Sequence, residues 1–375
     1  MENKYEEQLK AEWEKFSKSE FLPNIMLLGA TGCGKSSLVN LVFGKDIAPV
    51  NDVFRGTDGF ETYLGSEHNI GVNLIDSRGY ELENGSGDSF ANYLKSIKEK
   101  MEESRNSDPK GKIHIIWFCI SVAVGVIQNY DIEVLKLLRN DPELKDRVAV
   151  VLTKCDEDDE SGNTALVLRN NIANEIGRKV SVFEVSTDED LINELDLEKL
   201  INWSAEQLDD EDMKDAFIAS QIISLKAKRK KAAAAIAGYS AGAAAIVIAP
   251  VKLKDAVMLT TLQVTMSTHI VSIYGLESLA NISKELIGSV LISNIGKFIA
   301  GELAGLIPVV GKVINTSVAV AITSSLGFAI SEICYDCCKK LARGENVDFG
   351  LAFSPETIQN FFQMFMDSKK DSIEE

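Results

Sequence analysis

Gly29-Ala30-Thr31-Gly32-Cys33-Gly34-Lys35-Ser36 decides the reading of this chain. An apolar run, Asn24-Ile25-Met26-Leu27-Leu28, leads into it, and Ser37-Leu38-Val39-Asn40-Leu41-Val42-Phe43 follows with a helical pattern. Strand, glycine loop and helix are the context of a phosphate-binding loop, and G-x-x-x-x-G-K-[ST] is matched throughout. Glycines let successive backbone N–H groups turn inward around an anion without Cβ clashes. The N–H groups of Thr31–Ser37 are expected to cradle phosphates, beginning from the turn at Gly29. Lys35 is expected to reach the β- and γ-phosphates, and Ser36 to place its hydroxyl on Mg²⁺. The helix N-terminus adds about half a positive charge at the same point.

Composition narrows the partners. The chain has 375 residues, enough for two domains, and a formal net charge of −17. That balance argues against general nucleic-acid binding, which needs a basic surface. Six irregularly spaced cysteines do not make a disulfide framework, so a reducing, cytoplasmic compartment is expected. Met1–Glu7 is polar and acidic, unlike the apolar core of a signal peptide or an arginine-rich transit peptide. Residues 1 to 19 carry Leu9, Trp13 and Phe16 at helical spacing, which predicts a short amphipathic helix for packing or for a partner.

From residue 21 to 205, apolar strands alternate with helical patterns. Strands are expected at Ile25–Leu28, Glu61–Leu64, Val72–Ile75, Ile113–Ile120, Val148–Leu152 and Val180–Val185. Helices are expected at Lys35–Phe43, Phe90–Glu103, Ile132–Arg139 and Leu166–Ile176. The alternation predicts an α/β domain, a doubly wound and mostly parallel sheet with helices on both faces. Ligands of such sheets bind at the carboxyl ends of the strands, where every motif here falls.

Asp76-Ser77-Arg78-Gly79 follows the strand Val72–Ile75. An Asp at this place helps hold Mg²⁺ beside a phosphate loop, and the N–H of Gly79 can reach a γ-phosphate. Thr153-Lys154-Cys155-Asp156 follows the strand Val148–Leu152. A carboxylate at Asp156 can accept the N1–H and 2-amino hydrogens of guanine. Adenine offers neither, and a site built for those donors discriminates by a large factor. The aliphatic stem of Lys154 would lie over the base plane.

With these motifs in order over roughly residues 24 to 190, the sequence resembles the GTPase family. Its T/N-K-x-D motif is matched by Thr153, Lys154 and Asp156. Ser186 matches its fifth, looser base-contacting element, and Thr57, in Arg55-Gly56-Thr57-Asp58-Gly59, its Mg²⁺-ligating switch threonine. The form Gly-x-Thr-Gly-x-Gly-Lys-Ser-Ser is closer to the immunity-related, septin-like and Era-like GTPases than to Ras. The resemblance implies GTP/GDP and Mg²⁺ as cofactors, with metal ligands Ser36, Thr57 and Asp76. It implies Lys35, Thr57 and Gly79 as the catalytic set. Tyr80 stands where Ras-type proteins carry a water-orienting glutamine, and Gly32 where potassium-dependent members carry asparagine. Slow intrinsic hydrolysis follows. A residue from a dimer partner or from elsewhere in the chain would complete the site. Arg55 and Arg78 are either that charge or ordinary switch-loop arginines.

Near residue 205 the composition changes. Ala205–Lys231 is expected to be one long helix, acidic at Asp209–Asp212 and basic at Lys226–Lys231. The basic end would satisfy the helix dipole and solvent, or meet acidic lipid. Ala232–Ala249 is uncharged and rich in alanine and glycine, and fits either a membrane segment or a tightly packed helix. Leu253–Tyr274, Leu286–Ile299 and Leu303–Ile333 carry polar residues and look like helices of a bundle. Ala249-Pro250-Val251, Asp255–Met266, Ile273-Tyr274-Gly275 and Leu306–Gly311 resemble the YcjF-type hydrophobic helical domain found behind Era-like GTPase domains. The architecture also resembles the immunity-related GTPases, which implies a homodimer or higher oligomer and a membrane surface as partners. The expected organisation is an N-terminal helix (1–20), a nucleotide domain (21–205), a connecting helix (206–231), a helical domain (232–366) and a charged tail (367–375). Cys334, Cys337 and Cys338 share a helical face, which favours core packing over metal binding or acylation.

Overall fold

The computed structural model describes residues 21–44, 47, 60–68, 70–77, 87–158, 162–177, 179–188, 191, 194–248, 255–276, 294–295, 298, 316–343 and 345–368. They fall into two compact units that divide between Ser224 and Leu225.

The first unit is built on six strands: β1 Asn24–Leu28, β2 Phe60–Tyr63, β3 Asn73–Ser77, β4 Ile115–Ser121, β5 Val148–Thr153 and β6 Ser181–Glu184. Their order is β2-β3-β1-β4-β5-β6. Only β2 runs antiparallel, pairing Phe60 with Ser77 and Tyr63 with Leu74. The mostly parallel, doubly wound sheet expected from the alternation is what forms. Every residue of β1, β4 and β5 is buried, as continuous apolar runs require in strands covered on both faces.

Helices α1 Lys35–Phe43, α2 Gly87–Asn106, α3 Asn129–Asn140, α4 Asn163–Glu175 and α5 Leu197–Glu206 connect and follow the strands. On one face Met26, Leu28, Phe118 and Leu152 pack with Ile97 of α2, Leu135 of α3 and Leu168 of α4. On the other, Trp117 of β4 donates its indole N–H to Ser204 of α5 at 3.0 Å.

The single helix expected over Ala205–Lys231 does not form. The chain instead makes α5, then α6 Glu211–Ser220, then α7 Leu225–Ile248. Two side chains explain the breaks. Asp210 caps α6 by accepting the N–H of Met213 at 2.9 Å. Gln221 is fully buried and bonds Ile218 C=O, Ser224 C=O and Ser224 N–H. It holds the chain out of the helix, and Ile222 N–H turns to Val42 C=O of α1 at 2.9 Å. The segment expected as one connecting helix is thus shared between the two units.

The second unit contains α7, α8 Asp255–Tyr274, α9 Thr316–Ala342 and α10 Pro355–Asp367. Ile236, Met266, Tyr274, Leu326, Ile330, Ile358 and Phe362 form its core, together with Cys334, Cys337 and Cys338. Helices α7 and α9 are long and apolar enough to cross a bilayer, but 72% of the α9 stretch is buried against 22% of the α7 stretch. Only one stripe of α7 is covered, Lys228, Ala232, Ile236, Ser240 and Ala243. The basic cluster does not end a helix. Lys228 is fully buried and donates to Tyr274 C=O at 2.6 Å, closing the C-terminal end of α8, where a cation is favoured. Arg229 pairs with Glu332 and lies 4.0 Å over the Tyr335 ring.

Candidate functional site

Strand order reverses at β1, which pairs β3 on one side and β4 on the other. At such a switch point the flanking connections leave to opposite faces and open a crevice at the carboxyl ends of the strands. The phosphate loop leaves β1 at this crevice. Gly29, Gly32 and Gly34 all have positive φ, at 135°, 74° and 95°. Gly29 has no alternative. A Cβ there would stand 2.3 Å from the Cys119 carbonyl oxygen of β4. Thr31 and Gly32 are exposed at the rim, Cys33 is buried beneath them, and Ser36 and Ser37 lie in the first turn of α1. Lys35 is buried, and its ammonium donates to the carbonyls of Gly29 and Ala30 at 3.2 Å each. These bonds fold the side chain back over the loop.

Asp76, in β3, pairs with Leu27 of β1, next to the start of the loop. Its carboxylate and the Ser36 hydroxyl are hard oxygen donors of the kind Mg²⁺ takes, alongside substrate phosphates and water. Among the described residues no three His, Cys, Asp or Glu side chains cluster as a metal site. Thr57, Gly79, Tyr80, Arg55 and Arg78 lie outside the described residues.

The end of β5 joins the phosphate loop directly. Thr153 is buried, and its hydroxyl donates to the Cys33 carbonyl at 2.5 Å and shares its hydrogen with Ile120 C=O at 3.3 Å. Lys154 follows with φ of 56°, the one described non-glycine residue in the left-handed region. That turn throws Asp156 out beside β6. Ser186, 2% exposed, donates its hydroxyl to Asp156 Oδ1 at 2.5 Å and accepts Asp188 N–H at 2.9 Å. Cys155 points inward to Leu152 C=O, and burial pushes its thiol up to about 12. One Asp156 oxygen is thereby oriented by Ser186, while the exposed side of the carboxylate faces outward.

Three residues beside the site have no sequence signal of their own. Tyr93 of α2 brings its hydroxyl to Ser77 Oγ at 3.3 Å and to the Gly29 backbone, and burial raises its phenol above the ordinary range. Asp131 is buried and caps α3 by accepting Gln128 N–H at 2.9 Å. Cys119 of β4 lies beneath the loop, its carbonyl oxygen 2.3 Å from where a Cβ on Gly29 would stand. Their sequence neighbours read as ordinary helix and strand, and only the crossing of the elements brings them to the loop.

Residues 24–154 match the family model described as 50S ribosome-binding GTPase. Over this stretch the chain is similar to a P-loop GTPase domain. Over 86 residues the chain is 35% identical to translocase of chloroplast 90 of Arabidopsis thaliana, a match spanning 22% of this chain and 11% of that protein. Among solved structures, a probable GTP-binding protein engB is 17% identical, covering 49% of this chain and 97% of that one with a TM-score of 0.35. Era of Aquifex aeolicus bound to GDP and aluminium fluoride is 18% identical, covering 51% and 58% with a TM-score of 0.35. Toc33 of Arabidopsis thaliana in complex with Mg²⁺ and GMPPNP is 17% identical, covering 50% and 81% with a TM-score of 0.33.

Proposed function

We propose that the chain hydrolyses GTP to GDP and phosphate, and that the nucleotide state governs the helical unit as a switch. The observation that carries this is the bond from Thr153 to the Cys33 carbonyl. It locks the base-reading turn to the phosphate loop, so that one nucleotide spans both.

The amides of Thr31–Ser37 bind the phosphate oxygens, and the Lys35 ammonium stands against the β- and γ-phosphates. Asp156, oriented by Ser186, accepts the two guanine donors, and Lys154 covers the base. Ser36, Thr57 and Asp76 would hold Mg²⁺, which when bound spreads the charge that develops on the transferred phosphoryl group. Water attacks the γ-phosphorus, a P–O bond forms, and the bond to the β-phosphate oxygen breaks. With Tyr80 in place of a water-orienting glutamine, turnover is slow without an activator. Thr57 and Gly79 sense the γ-phosphate and relay its presence. Within the GTPases this assigns the chain to an Era-like or immunity-related type with a YcjF-type helical domain, acting in the cytoplasm.

One observation favours a second reading, a self-assembling or membrane-remodelling GTPase. The uncovered face of α7 runs through Ala233, Ala237, Ala241, Ala245 and Ile248, below exposed Lys226 and Lys230. Small residues permit close helix packing, and the lysines match an anionic surface. The experiment for both is phosphate release per protein over a wide concentration range, with and without anionic liposomes, with Lys35→Ala as blank. GTP turnover well above the blank, with ATP inert, supports the switch. Specific activity that climbs with concentration or lipid supports assembly. Equal turnover of ATP and GTP, or none above the blank in any arm, refutes the proposal.

A further inference from the structure

The end of β3 is held from two directions. Its last pairing with β1 joins Leu27 to Asp76, and Ser77 runs one residue beyond it, where Phe60 of antiparallel β2 is its strand partner. Ser77 is 1% exposed, and its Oγ lies 3.3 Å from the hydroxyl of Tyr93 in α2. Tyr93 is itself buried, in the cluster that holds Ile75 of β3 with Ile97 and Met101 of α2. Successive side chains of a strand point to opposite faces. Ile75 and Ser77 therefore stand on the α2 face of the sheet, and Asp76, between them, stands on the other.

We infer that Tyr93 is a positioning residue for GTP hydrolysis: through Ser77 it fixes the end of β3, and with it the carboxylate that Asp76 offers to Mg²⁺. The inference rests on the proposed nucleotide function. Asp76 occupies the last position that β1 secures, so the chain beyond it is steadied by β2 and by the Tyr93 contact. Asp76 and Ser77 share one planar peptide unit, and a shift of the main chain at Ser77 turns the carboxylate with it. A phenylalanine at position 93 would keep the ring in the cluster and take only the hydroxyl away from Ser77.

A hydrogen bond between neutral buried groups is worth about 2- to 10-fold in an equilibrium constant. That is the ceiling on what the Tyr93 hydroxyl adds to Mg²⁺ affinity, because a contact shifts an equilibrium by no more than its own difference between the two states.

The test uses the full chain loaded with a fluorescent GDP analogue, whose release is followed across a Mg²⁺ titration that starts in chelator. Mg²⁺ should slow release from the unaltered chain. Tyr93→Phe should raise the Mg²⁺ midpoint by about 2- to 10-fold and leave release in chelator unchanged, since the phosphate loop and base site are intact. Ser77→Ala removes the same bond from its other end and should give the same shift, and the double variant should shift no further than either alone. Ile97→Val is the comparison. It is fully buried one turn further along α2, so it loosens the same packing without touching Ser77. It should lower the melting temperature and leave the midpoint in place. If Tyr93→Phe fails to fold, Ser77→Ala against Ile97→Val decides. A midpoint unmoved in Tyr93→Phe or in Ser77→Ala, one moved equally by Ile97→Val, or additive shifts in the double variant would overturn the inference. An unaltered chain that holds the analogue no better with Mg²⁺ than in chelator overturns it as well. A chain that binds no guanine nucleotide in any arm refutes the proposed function, and the inference falls with it.

Discussion

Asp156→Asn should convert the base site from guanine toward xanthine. One carboxylate oxygen is held by Ser186 at 2.5 Å, and the exposed side of the group is open to a base. Guanine presents two donors there, N1–H and the 2-amino group. A hydrogen bond to a charged group contributes about 1.5–3 kcal/mol, so two amount to about 3–6 kcal/mol. At about 1.4 kcal/mol per decade that is a loss of about 100- to 10,000-fold in GTP affinity. Solvent access at an exposed carboxylate places the expected value near the lower end. Xanthine carries a 2-oxo group, which accepts from the Asn amide, so its nucleotide should lose far less or gain. Ser186→Ala is the companion variant. It removes the group that orients the carboxylate and strips Asp188 N–H of its acceptor, which should weaken GTP by about 1–2 kcal/mol. The assay is displacement of a fluorescent GDP analogue by GTP, xanthosine triphosphate and ATP, with thermal melting of nucleotide-free protein as the fold control. An exposed, isosteric change should leave melting nearly untouched. Unchanged GTP affinity, or equal losses for GTP and the xanthine nucleotide, would refute the assignment of Asp156 to the base.

Two further outcomes follow from local geometry. Gly29→Ala should abolish nucleotide binding and destabilise the sheet unit by about 2–5 kcal/mol, because the new Cβ meets a backbone oxygen at 2.3 Å on a residue with φ of 135°. Gly32→Ala, with φ of 74° but nothing within 4 Å, should lose only about 1–2 kcal/mol, and equal effects in melting curves would contradict this. His114 is held neutral, taking Asn24 N–H on Nδ1 at 2.9 Å with Nε2 against Pro109 C=O, and burial lowers its pKa to about 4. An unfolded histidine titrates near 6.5, so the unfolded chain binds more protons between the two values. This contribution, about 3 kcal/mol in full, is present above pH 6.5 and fades as pH falls toward 4. His114→Gln can keep both hydrogen bonds without titrating. It should flatten the loss of sheet-unit stability between pH 7 and 4.5, and parallel pH profiles would disprove the cause.

The legible parts of the site share one property, that local backbone chemistry specifies them. A glycine run that must adopt positive φ, followed by Lys35 and Ser36 at a helix start, has few structural meanings. Thr153-Lys154-Cys155-Asp156 at a strand end is similar, since the sharp turn at Lys154 throws Asp156 outward. The strands could be placed because β1, β4 and β5 are buried on both faces and so are apolar throughout. The helix expected over Ala205–Lys231 failed for a reason periodicity cannot register. Asp210 and Gln221 satisfy backbone groups with their own side chains, and that competition breaks a pattern whose apolar spacing continues through it. Lys228 misled in the same way, since a lysine in a basic run resembles solvent-facing charge until a distant helix end, at Tyr274, is brought to it.

By itself the sequence determined the sheet class, the phosphate loop and the guanine-type motif, because short-range sterics and strand burial leave their marks on consecutive residues. Only the tertiary structure decided which groups meet across elements. It set Thr153 against Cys33, the Cys119 carbonyl beneath Gly29, Tyr93 on Ser77, and Ser186 on Asp156. It also left one face of α7 uncovered while burying α9. Those pairings depend on strand order and helix crossing, which arise from packing the whole chain and not from the chemistry of any one stretch.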